Sequence, residues 1–191
     1  MRIGLFGGTY NPIHNGHLIV AQDIVRKLKL DKIIFIPCGV PPHKVGHDML
    51  SSEHRYNMVK LAIKGDPEFE LSDIEVKRDG KSYSIDTVMH FKKEYPEARI
   101  FFIIGADILT ALHTWKDIDR LINECEFVIM TRPNHRARAA KVRNVGHFLN
   151  VRDIEVSSTE IRSLIRSGRS VRYMVPKEVE KYINEHKLFR N

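Results

Sequence analysis

The sequence predicts an α/β fold in which a Rossmann-like, doubly wound parallel sheet is followed by a small helical C-terminal part. Strand-like and helix-like segments alternate along residues 1–150, and this alternation is typical of parallel strands joined by right-handed helical crossovers. Beyond about residue 150 the pattern becomes mostly helical. We therefore interpret residues 1–191 as a single domain, with an α/β core at 1–150 and the helical part at 151–191.

The predicted strands are short runs rich in apolar and β-branched residues. Lys32–Pro37 reads KIIFIP and ends at a proline, which fits a buried strand. Arg99–Ile104 reads RIFFII, and an uninterrupted apolar run indicates a strand covered on both faces. The complete set of predicted strands is Arg2–Phe6, Lys32–Pro37, Phe69–Val76, Arg99–Ile104 and Glu126–Thr131.

The predicted helices carry apolar residues spaced three and four positions apart. His17–Lys29 is the clearest of them; its stripe consists of Leu18, Ala21, Val25 and Leu28. Ser52 is the expected N-cap of the next helix, and the segment Gly39–Ser52, with two prolines and two glycines, is expected to be a loop. The remaining helices are predicted at Ser84–Tyr95, Ile118–Cys125, Glu160–Arg166 and Pro176–Lys187.

The composition is typical of a globular cytoplasmic protein. Hydrophobic residues make up 42% and charged residues 29% of the chain, and the longest apolar runs fall far short of the ~20 residues that a membrane-spanning helix needs. We expect no secretory leader before the first strand. Cys38 and Cys125 lie far apart in apolar surroundings, which favours reduced thiols and a cytoplasmic location.

The net charge of +7 predicts a negatively charged partner. Nucleic acid, an acidic membrane surface and a small polyanionic substrate all fit this charge, and composition alone does not choose among them. Most basic residues lie singly, and the exception is the segment Asn134–Arg143. Because that segment lacks the interleaved aromatic residues that stack on bases, we expect a solvated loop and no nucleic-acid partner. We also expect no membrane partner.

Glycines and histidines cluster where the first strand leads into the first helix. Gly7, Gly8 and Thr9 follow the strand, and glycines there let the backbone turn tightly and approach a ligand closely. His14 and His17 lie on one side of the first helical turn, whose free N–H groups suit phosphate. The pattern matches neither the Walker P-loop nor the Rossmann dinucleotide fingerprint. A metal would need a third ligand beside the two histidines, so we predict no metal site.

A second anion site is predicted near the other end of the chain. Val156–Arg162 reads VSSTEIR, in which Ser157 or Ser158 can cap a helix and Glu160 can close its first turn. Hydroxyl groups and free N–H groups at a helix start, together with the guanidinium of Arg162, match phosphate oxygens.

The two motifs together resemble those of the HxGH nucleotidyltransferases, and the segments between them are similar to those of bacterial nicotinate mononucleotide adenylyltransferases. The resemblance covers essentially the whole chain. Its intermediate motifs are PPHK (41–44), RDGKSYSIDT (78–87), FFIIGAD (101–107), Trp115, TRP (131–133) and VPKEVEKYI (175–183).

The resemblance implies transfer of an adenylyl group from ATP to nicotinate mononucleotide, giving deamido-NAD and pyrophosphate, with Mg²⁺ carried by the ATP phosphates. It implies that His14 and His17 contact the reacting phosphates, with His17 stabilising the transition state. The implied ATP-binding residues are Gly7, Gly8, Thr9, Gly105, Asp107, Ser158, Thr159 and Arg162. The implied acceptor-binding residues are Lys44, Ser84, Trp115, Lys116 and Arg132, with Trp115 stacking on the pyridine ring and Lys44 reaching the acceptor phosphate.

The chain departs from the family pattern at three places. Tyr10 and Asn11 stand where the family usually has Phe and Asp before Pro12, so a charge is lost there. Ser84 replaces a usual threonine, and Asn134 replaces a usual glycine.

Two other functions stay open from the sequence. An adenylyltransferase acting on nicotinamide mononucleotide or phosphopantetheine would share the phosphate motifs. An RNA-binding module related to HIGH-type synthetase domains belongs to a different class, and it would bind with a steep dependence on salt. Assembly into a homo-oligomer is also left open.

Overall fold

The computed structural model describes residues 1–41, 48–131 and 146–190, and its centre is one parallel sheet of six strands. The strands are β1 (Arg2–Gly8), β2 (Lys32–Pro37), β3 (Phe69–Leu71), β4 (Arg99–Gly105), β5 (Glu126–Thr131) and β6 (Gly146–Asn150). Their order in the sheet is β3-β2-β1-β4-β5-β6. This confirms the predicted Rossmann-like doubly wound sheet.

Six α-helices and two short 3₁₀ helices connect and cover the strands in the described residues. The α-helices are α1 (Asn15–Leu28), α2 (Ser52–Ala62), α3 (Ser84–Glu94), α4 (Ile118–Glu124), α5 (Ser158–Arg166) and α6 (Lys177–Glu185). The 3₁₀ helices span Ala106–Thr110 and Leu112–Thr114. Within this part of the chain, no helix has the length and apolarity needed to cross a membrane.

Alternate residues of each central strand face two separate hydrophobic clusters. In β2, Ile33 and Phe35 face the first cluster, while Ile34 and Ile36 face the second. The first cluster contains residues of α1, α2, α5 and α6, and the second contains residues of α3 and α4. Helices therefore cover both faces, as the apolar strand runs predicted. The C-terminal helices share a cluster with α1 and α2, and the single-domain organisation stays a prediction.

The chain direction across the sheet reverses beside β1. β1 pairs with β2 on one side and with β4 on the other, so the connections leaving these strands diverge at their carboxyl ends. Such a point leaves a crevice above the sheet in which ligands bind. The strand ends that border it are Gly8 of β1 and Gly105 of β4, and Gly8 leads directly into the turn before α1.

The structure differs from the sequence prediction in several local details. The strand predicted at Phe69–Val76 ends at Leu71, because the chain turns away where Ile74 N donates to Ser72 Oγ (3.3 Å). β6 was not predicted, since GHFLN is short and mixes polar with apolar residues; its pairing with β5 comes from its place at the sheet edge. Pro176 is the N-cap of α6 and not its first helical residue.

The N-cap of α2 is Ser51, one residue before the predicted position. Ser51 Oγ accepts a hydrogen bond from His54 N (3.3 Å), and Ser52 is the first helical residue. Periodicity in the sequence places a helix start only to within a residue or two, because adjacent serines are equally good caps.

Ser51→Ala is therefore expected to lower the free energy of unfolding by about 1 kcal/mol, the usual cost of losing a helix cap. The neighbouring Ser52→Ala is the matched control and is expected to change it by less than ~0.5 kcal/mol. Denaturant unfolding of both variants measures the difference. A larger loss in Ser52→Ala than in Ser51→Ala would contradict the cap assignment.

Candidate active site

The HNGH motif forms the start of α1 at the carboxyl end of β1. His14 is the N-cap in extended conformation, and its backbone N–H donates to Nδ1 of His17 (3.2 Å). The two imidazole rings lie 3.8 Å apart between centroids with an interplanar angle of 34°. The structure thus brings the two predicted histidines together over the first helical turn, whose N-terminal end favours anions.

The bond from His14 to His17 fixes which nitrogen of His17 carries its proton. Because Nδ1 accepts a hydrogen bond, the neutral ring holds its hydrogen on Nε2, which is left as a donor. Burial of the ring, and then the neighbouring His14, lower the pKa of His17 well below its ordinary value. His17 is therefore a neutral Nε2–H donor near pH 7.

Glycines in the motif leave room for the histidines and for a ligand. A Cβ on Gly16 would lie 3.0 Å from Nδ1 of His14, so a side chain there would displace that ring. A Cβ on Gly8 would contact the Tyr10 ring at 2.7 Å, while one on Gly7 would meet no atom within 4 Å. The backbone at Gly7 is therefore open to an approaching molecule, as glycine permits.

The start of α5 lies against the same turn, although it is far away in sequence. Ser158 Oγ donates to the carbonyl of Pro12 (2.8 Å), and Arg162 Nη1 donates to the carbonyl of Asn11 (2.9 Å). Ser157 caps the helix by accepting from Glu160 N (3.1 Å). The structure thus brings the two predicted phosphate motifs together.

Arg162 keeps donor capacity beyond its bond to Asn11. Its Nη2 contacts Thr159 Oγ1 at 3.4 Å, and its Nε is buried without a hydrogen-bond partner in the described residues. A guanidinium has five N–H donors in a planar fork, so this side chain can take phosphate oxygens while remaining attached to the turn.

Gly105 and Asp107 lie at the carboxyl end of β4, across the crevice from the histidines. Asp107 is exposed in the 3₁₀ helix Ala106–Thr110. Its carboxylate folds back over Gly105, where an added Cβ would collide with it. An exposed carboxylate in this position can accept hydrogen bonds from hydroxyl groups.

The predicted acceptor residues that the structure describes lie on the face of the sheet covered by α3 and α4. Ser84 is the first residue of α3. Lys116 Nζ lies 3.2 Å from Asp86 and 4.9 Å from the ring centre of Tyr83, the neighbour of Ser84. Trp115 is partly buried and meets Phe102 edge to face at 6.1 Å, so its ring partly fills the core and partly lines an open depression. The structure therefore places Ser84, Trp115 and Lys116 in the same region of this face.

Some predicted residues lie outside the described part of the chain. These are Lys44, Arg132 and the basic segment Asn134–Arg143. Cys38 and Cys125 are described, and both are free thiols as expected. Burial raises the pKa of Cys38 to about 11 and that of Cys125 to about 12.

Sequence reasoning assigned no structural role to two buried residues beside the site. Tyr10 covers Gly8, and its hydroxyl donates to the carbonyl of Phe6 (2.6 Å). Arg55 is 1% exposed, and its Nη1 donates to the carbonyl of Thr9 in the turn before α1 (2.9 Å). The available signal for Arg55 was its spacing of three from Met58, which places a charged residue on the apolar stripe of α2.

Comparison with known proteins identifies the family. Residues 5–164 match the family model described as cytidylyltransferase-like. The chain is 42% identical to a probable nicotinate-nucleotide adenylyltransferase of Thermoanaerobacter sp. (strain X514), over 100% of this chain and 95% of the relative. It is 40% identical to the nicotinate-nucleotide adenylyltransferase of Bacillus subtilis (strain 168), over 100% of this chain and 99% of the relative.

A solved structure shares the fold. Plasmodium falciparum nicotinic acid mononucleotide adenylyltransferase complexed with NaAD superposes with a TM-score of 0.82 at 20% identity, covering 98% of this chain and 97% of that chain. Because the family model covers most of the sequence and both bacterial relatives align along its whole length, the chain belongs to the nicotinate-nucleotide adenylyltransferases of the cytidylyltransferase-like family.

Proposed function

We propose that the chain joins ATP to nicotinate mononucleotide, forming deamido-NAD and releasing pyrophosphate, with the site residues acting as described below. The observation that carries the proposal is the contact between the two phosphate motifs, in which Ser158 and Arg162 of α5 bind the carbonyls of Pro12 and Asn11. One triphosphate can therefore contact the starts of both α1 and α5.

The chemistry requires positive potential more than a strong base. An oxygen of the acceptor phosphate attacks the α-phosphorus of ATP, and the bond from that phosphorus to the β-phosphate oxygen breaks. The acceptor phosphate is already an adequate nucleophile, so the protein must overcome the repulsion between two anions and the growing charge on pyrophosphate. Groups that donate to phosphate oxygens meet both demands.

Residues at the starts of α1 and α5 bind different phosphates of the triphosphate. His14 and His17 contact the reacting phosphates, and the Nε2–H of His17 donates to an oxygen on which charge develops. Thr159 and the remaining N–H groups of Arg162 hold the β- and γ-phosphates. The hydroxyl hydrogen of Ser158 is already donated to Pro12, so Ser158 contributes by holding α5 in place. The backbone of Gly7, Gly8 and Thr9 passes beneath the nucleotide. The carboxylate of Asp107, next to Gly105, accepts a hydrogen bond from a ribose hydroxyl.

Mg²⁺ is proposed as part of the substrate, bound to the phosphates of ATP. The side chains of the two motifs are imidazole, guanidinium and hydroxyl groups, which fit phosphate oxygens and not a hard cation. Among the described residues, no group of three or more His, Cys, Asp or Glu side chains is placed to hold a metal. Magnesium commonly binds in this way, with several waters and substrate phosphates as ligands.

The acceptor is proposed to bind between α3 and the segment that follows the 3₁₀ helices. Trp115 stacks on the pyridine ring, while the N–H of Lys116 and the hydroxyl of Ser84 recognise the ring carboxylate. Lys44 and Arg132 are proposed to bind the acceptor phosphate and the product. A polar site fitted to a carboxylate rejects the amide, because the mismatched groups would stay unpaired.

The cytoplasmic location stays a prediction.

A pyrophosphate-release assay with ATP and three acceptors tests the function. Nicotinate mononucleotide is expected to give the highest kcat/KM, ahead of its amide and of phosphopantetheine, because only it carries the ring carboxylate. A higher kcat/KM for the amide would overturn the acceptor assignment while leaving adenylyl transfer in place. Release with none of the three would overturn the proposed function.

His17→Ala is expected to lower kcat by about 10²-fold or more, as for the loss of one donor to a developing oxyanion. Two further variants separate the ring nitrogens. His17→Gln can place its amide NH2 near the position of Nε2. His17→Asn can offer its amide oxygen to the N–H of His14 but is too short to place a donor at the position of Nε2, so Gln is expected to retain more turnover. The surface variant His90→Ala is the control. Turnover of His17→Ala near that of wild type would remove His17 from the mechanism.

The lowered pKa of His17 gives a pH dependence with a definite sign. Between the folded pKa and the ordinary value of about 6.5, the unfolded chain binds more protons than the folded one. The free energy of unfolding therefore falls as the pH is lowered below about 6.5, and this loss is expected to be smaller in His17→Gln. Denaturant titrations of both proteins from pH 7 to pH 5 measure it; parallel curves would contradict the assignment.

A further inference from the structure

A buried carboxyl group lies beside the start of α3, and the proposed chemistry gives it no role. Glu75 is 8% exposed, and its Oε1 accepts a hydrogen bond from Thr87 Oγ1 (2.7 Å). Thr87 is itself fully buried and lies in α3, three residues after Ser84. Because a buried polar group without a partner is costly, this hydrogen bond fixes the two side chains relative to each other.

Arg78 determines the direction of that hydrogen bond. Its Nη1 lies 3.2 Å from Thr87 Oγ1, and a guanidinium has donors but no acceptor. The Thr87 oxygen therefore accepts from Arg78 and gives its own hydrogen to Glu75. Arg78 and Thr87 are the first and last residues of the motif RDGKSYSIDT, so these contacts bring the two ends of the motif together.

The surroundings of Glu75 act on its protonation in both directions. Burial raises the pKa of the carboxyl above its ordinary value, whereas the hydrogen bond from Thr87 and the charge of Arg78 lower it. The thiol of Cys38 and the hydroxyl of Ser82 are also close enough to stabilise the ionised form. Polar groups thus surround this carboxyl on several sides and restrict it to one position.

The motif is also attached to the chain that follows β2. Ser82 N donates to the carbonyl of Val40 (3.0 Å), and Val40 forms an isolated parallel bridge with Lys81. Ser84 therefore lies between two anchored residues, Ser82 on one side and Thr87 on the other.

This anchored stretch is the one that the proposed function assigns to the acceptor ring. Lys116 Nζ lies 4.9 Å from the ring centre of Tyr83 and 3.2 Å from the Asp86 carboxylate, on either side of Ser84. A shift of the start of α3 would therefore move Ser84 and disturb its neighbours together. Binding sites need their groups held to within about 0.5 Å, so the contact that fixes α3 matters for recognition.

We propose that Glu75 is a positioning residue for the acceptor, which holds the start of α3 through Thr87 so that Ser84 recognises the ring carboxylate. This inference rests on the proposed function, in which Ser84 binds that group. Glu75 then contributes to the preference for nicotinate over nicotinamide mononucleotide by acting through α3. In the described residues its side chain makes no hydrogen bond to either phosphate motif, so ATP binding is expected to be independent of it.

Thr87→Val tests the proposal, because it removes the hydroxyl and keeps a branched side chain. We define the acceptor ratio as kcat/KM for nicotinate mononucleotide divided by kcat/KM for nicotinamide mononucleotide. This ratio is expected to fall about tenfold or more, which corresponds to about 1.4 kcal/mol, while the KM for ATP changes less than about threefold. A general loss of structure would lower activity with both acceptors and leave the ratio unchanged.

Two variants of Glu75 distinguish a hydrogen bond from a charge. Glu75→Ala removes the acceptor and is expected to lower the acceptor ratio as Thr87→Val does. Glu75→Gln keeps an oxygen for Thr87 and is expected to retain the ratio to within about threefold. A charge acting directly would repel the ring carboxylate, so its removal in Glu75→Gln would raise the ratio. Such a rise, or a Glu75→Gln ratio as low as that of Glu75→Ala, refutes the proposal.

A control variant and a double-mutant cycle complete the test. Glu124→Ala removes a carboxylate bound to Lys92 near the other end of α3 (2.6 Å) and is expected to leave the acceptor ratio unchanged. In a Ser84→Ala background, Thr87→Val is expected to lower the ratio much less than in the wild type. Equal decreases in both backgrounds would show that Thr87 does not act through Ser84. Where Thr87→Val or Glu75→Ala does not fold, the other variant is read by the same ratio.

The wild-type assay separates this inference from the proposed function. A wild type that does not adenylylate nicotinate mononucleotide contradicts the function. A wild type that does so, with a Thr87→Val variant of unchanged acceptor ratio, contradicts only the positioning role.

Discussion

The candidate site depends on the attachment of α5 to the turn that precedes α1. Hydrogen bonds from Ser158 and Arg162 to the carbonyls of Pro12 and Asn11 span sequence separations of 146 and 151 residues. Each motif alone is a common helix start with ordinary affinity for an anion. Held together, they present the N-terminal ends of two helices and a guanidinium to the same space. A site that works by electrostatic stabilisation needs such fixed positions, because donors that must reorganise lose much of their benefit.

The sequence could predict the sheet and most of its helices because burial imposes regular spacing. The β-branched run of Lys32–Pro37 matches β2 residue for residue, since a strand buried on both faces admits only apolar residues. Spacing carries less information at the edges of the sheet. Phe69–Val76 has further apolar residues at Ile74 and Val76, yet only Phe69–Leu71 pairs with β2. At the opposite edge, β6 forms from a sequence with little strand character. Edge pairing depends on tertiary position, which local patterning does not encode.

In the candidate site, too, some features follow from the local sequence and others depend on tertiary position. The close approach of His14 and His17 could be predicted from the sequence, because two residues three positions apart at a helix start lie on the same side of its first turn. Arg55 could not be assigned a role in this way. Its partners are the backbone carbonyls of Thr9, Gly39 and Leu50. Because every residue has a backbone carbonyl, no side-chain pattern in the sequence predicts these contacts. Hydrogen bonds from side chains to distant backbone are settled only when the fold brings them together.

The departure from the family pattern at Asn11 follows from the same reasoning. A carboxylate in that position could accept from the N–H of Leu50, but it would face the carbonyl of Asp48 with no hydrogen to donate. Asn11 meets both groups at once. Since a buried polar group without a partner costs more than a hydrogen bond contributes, residues 48–50 in this conformation favour the amide over the acid. The absence of a negative charge at this position is then a consequence of how the chain holds residues 48–50.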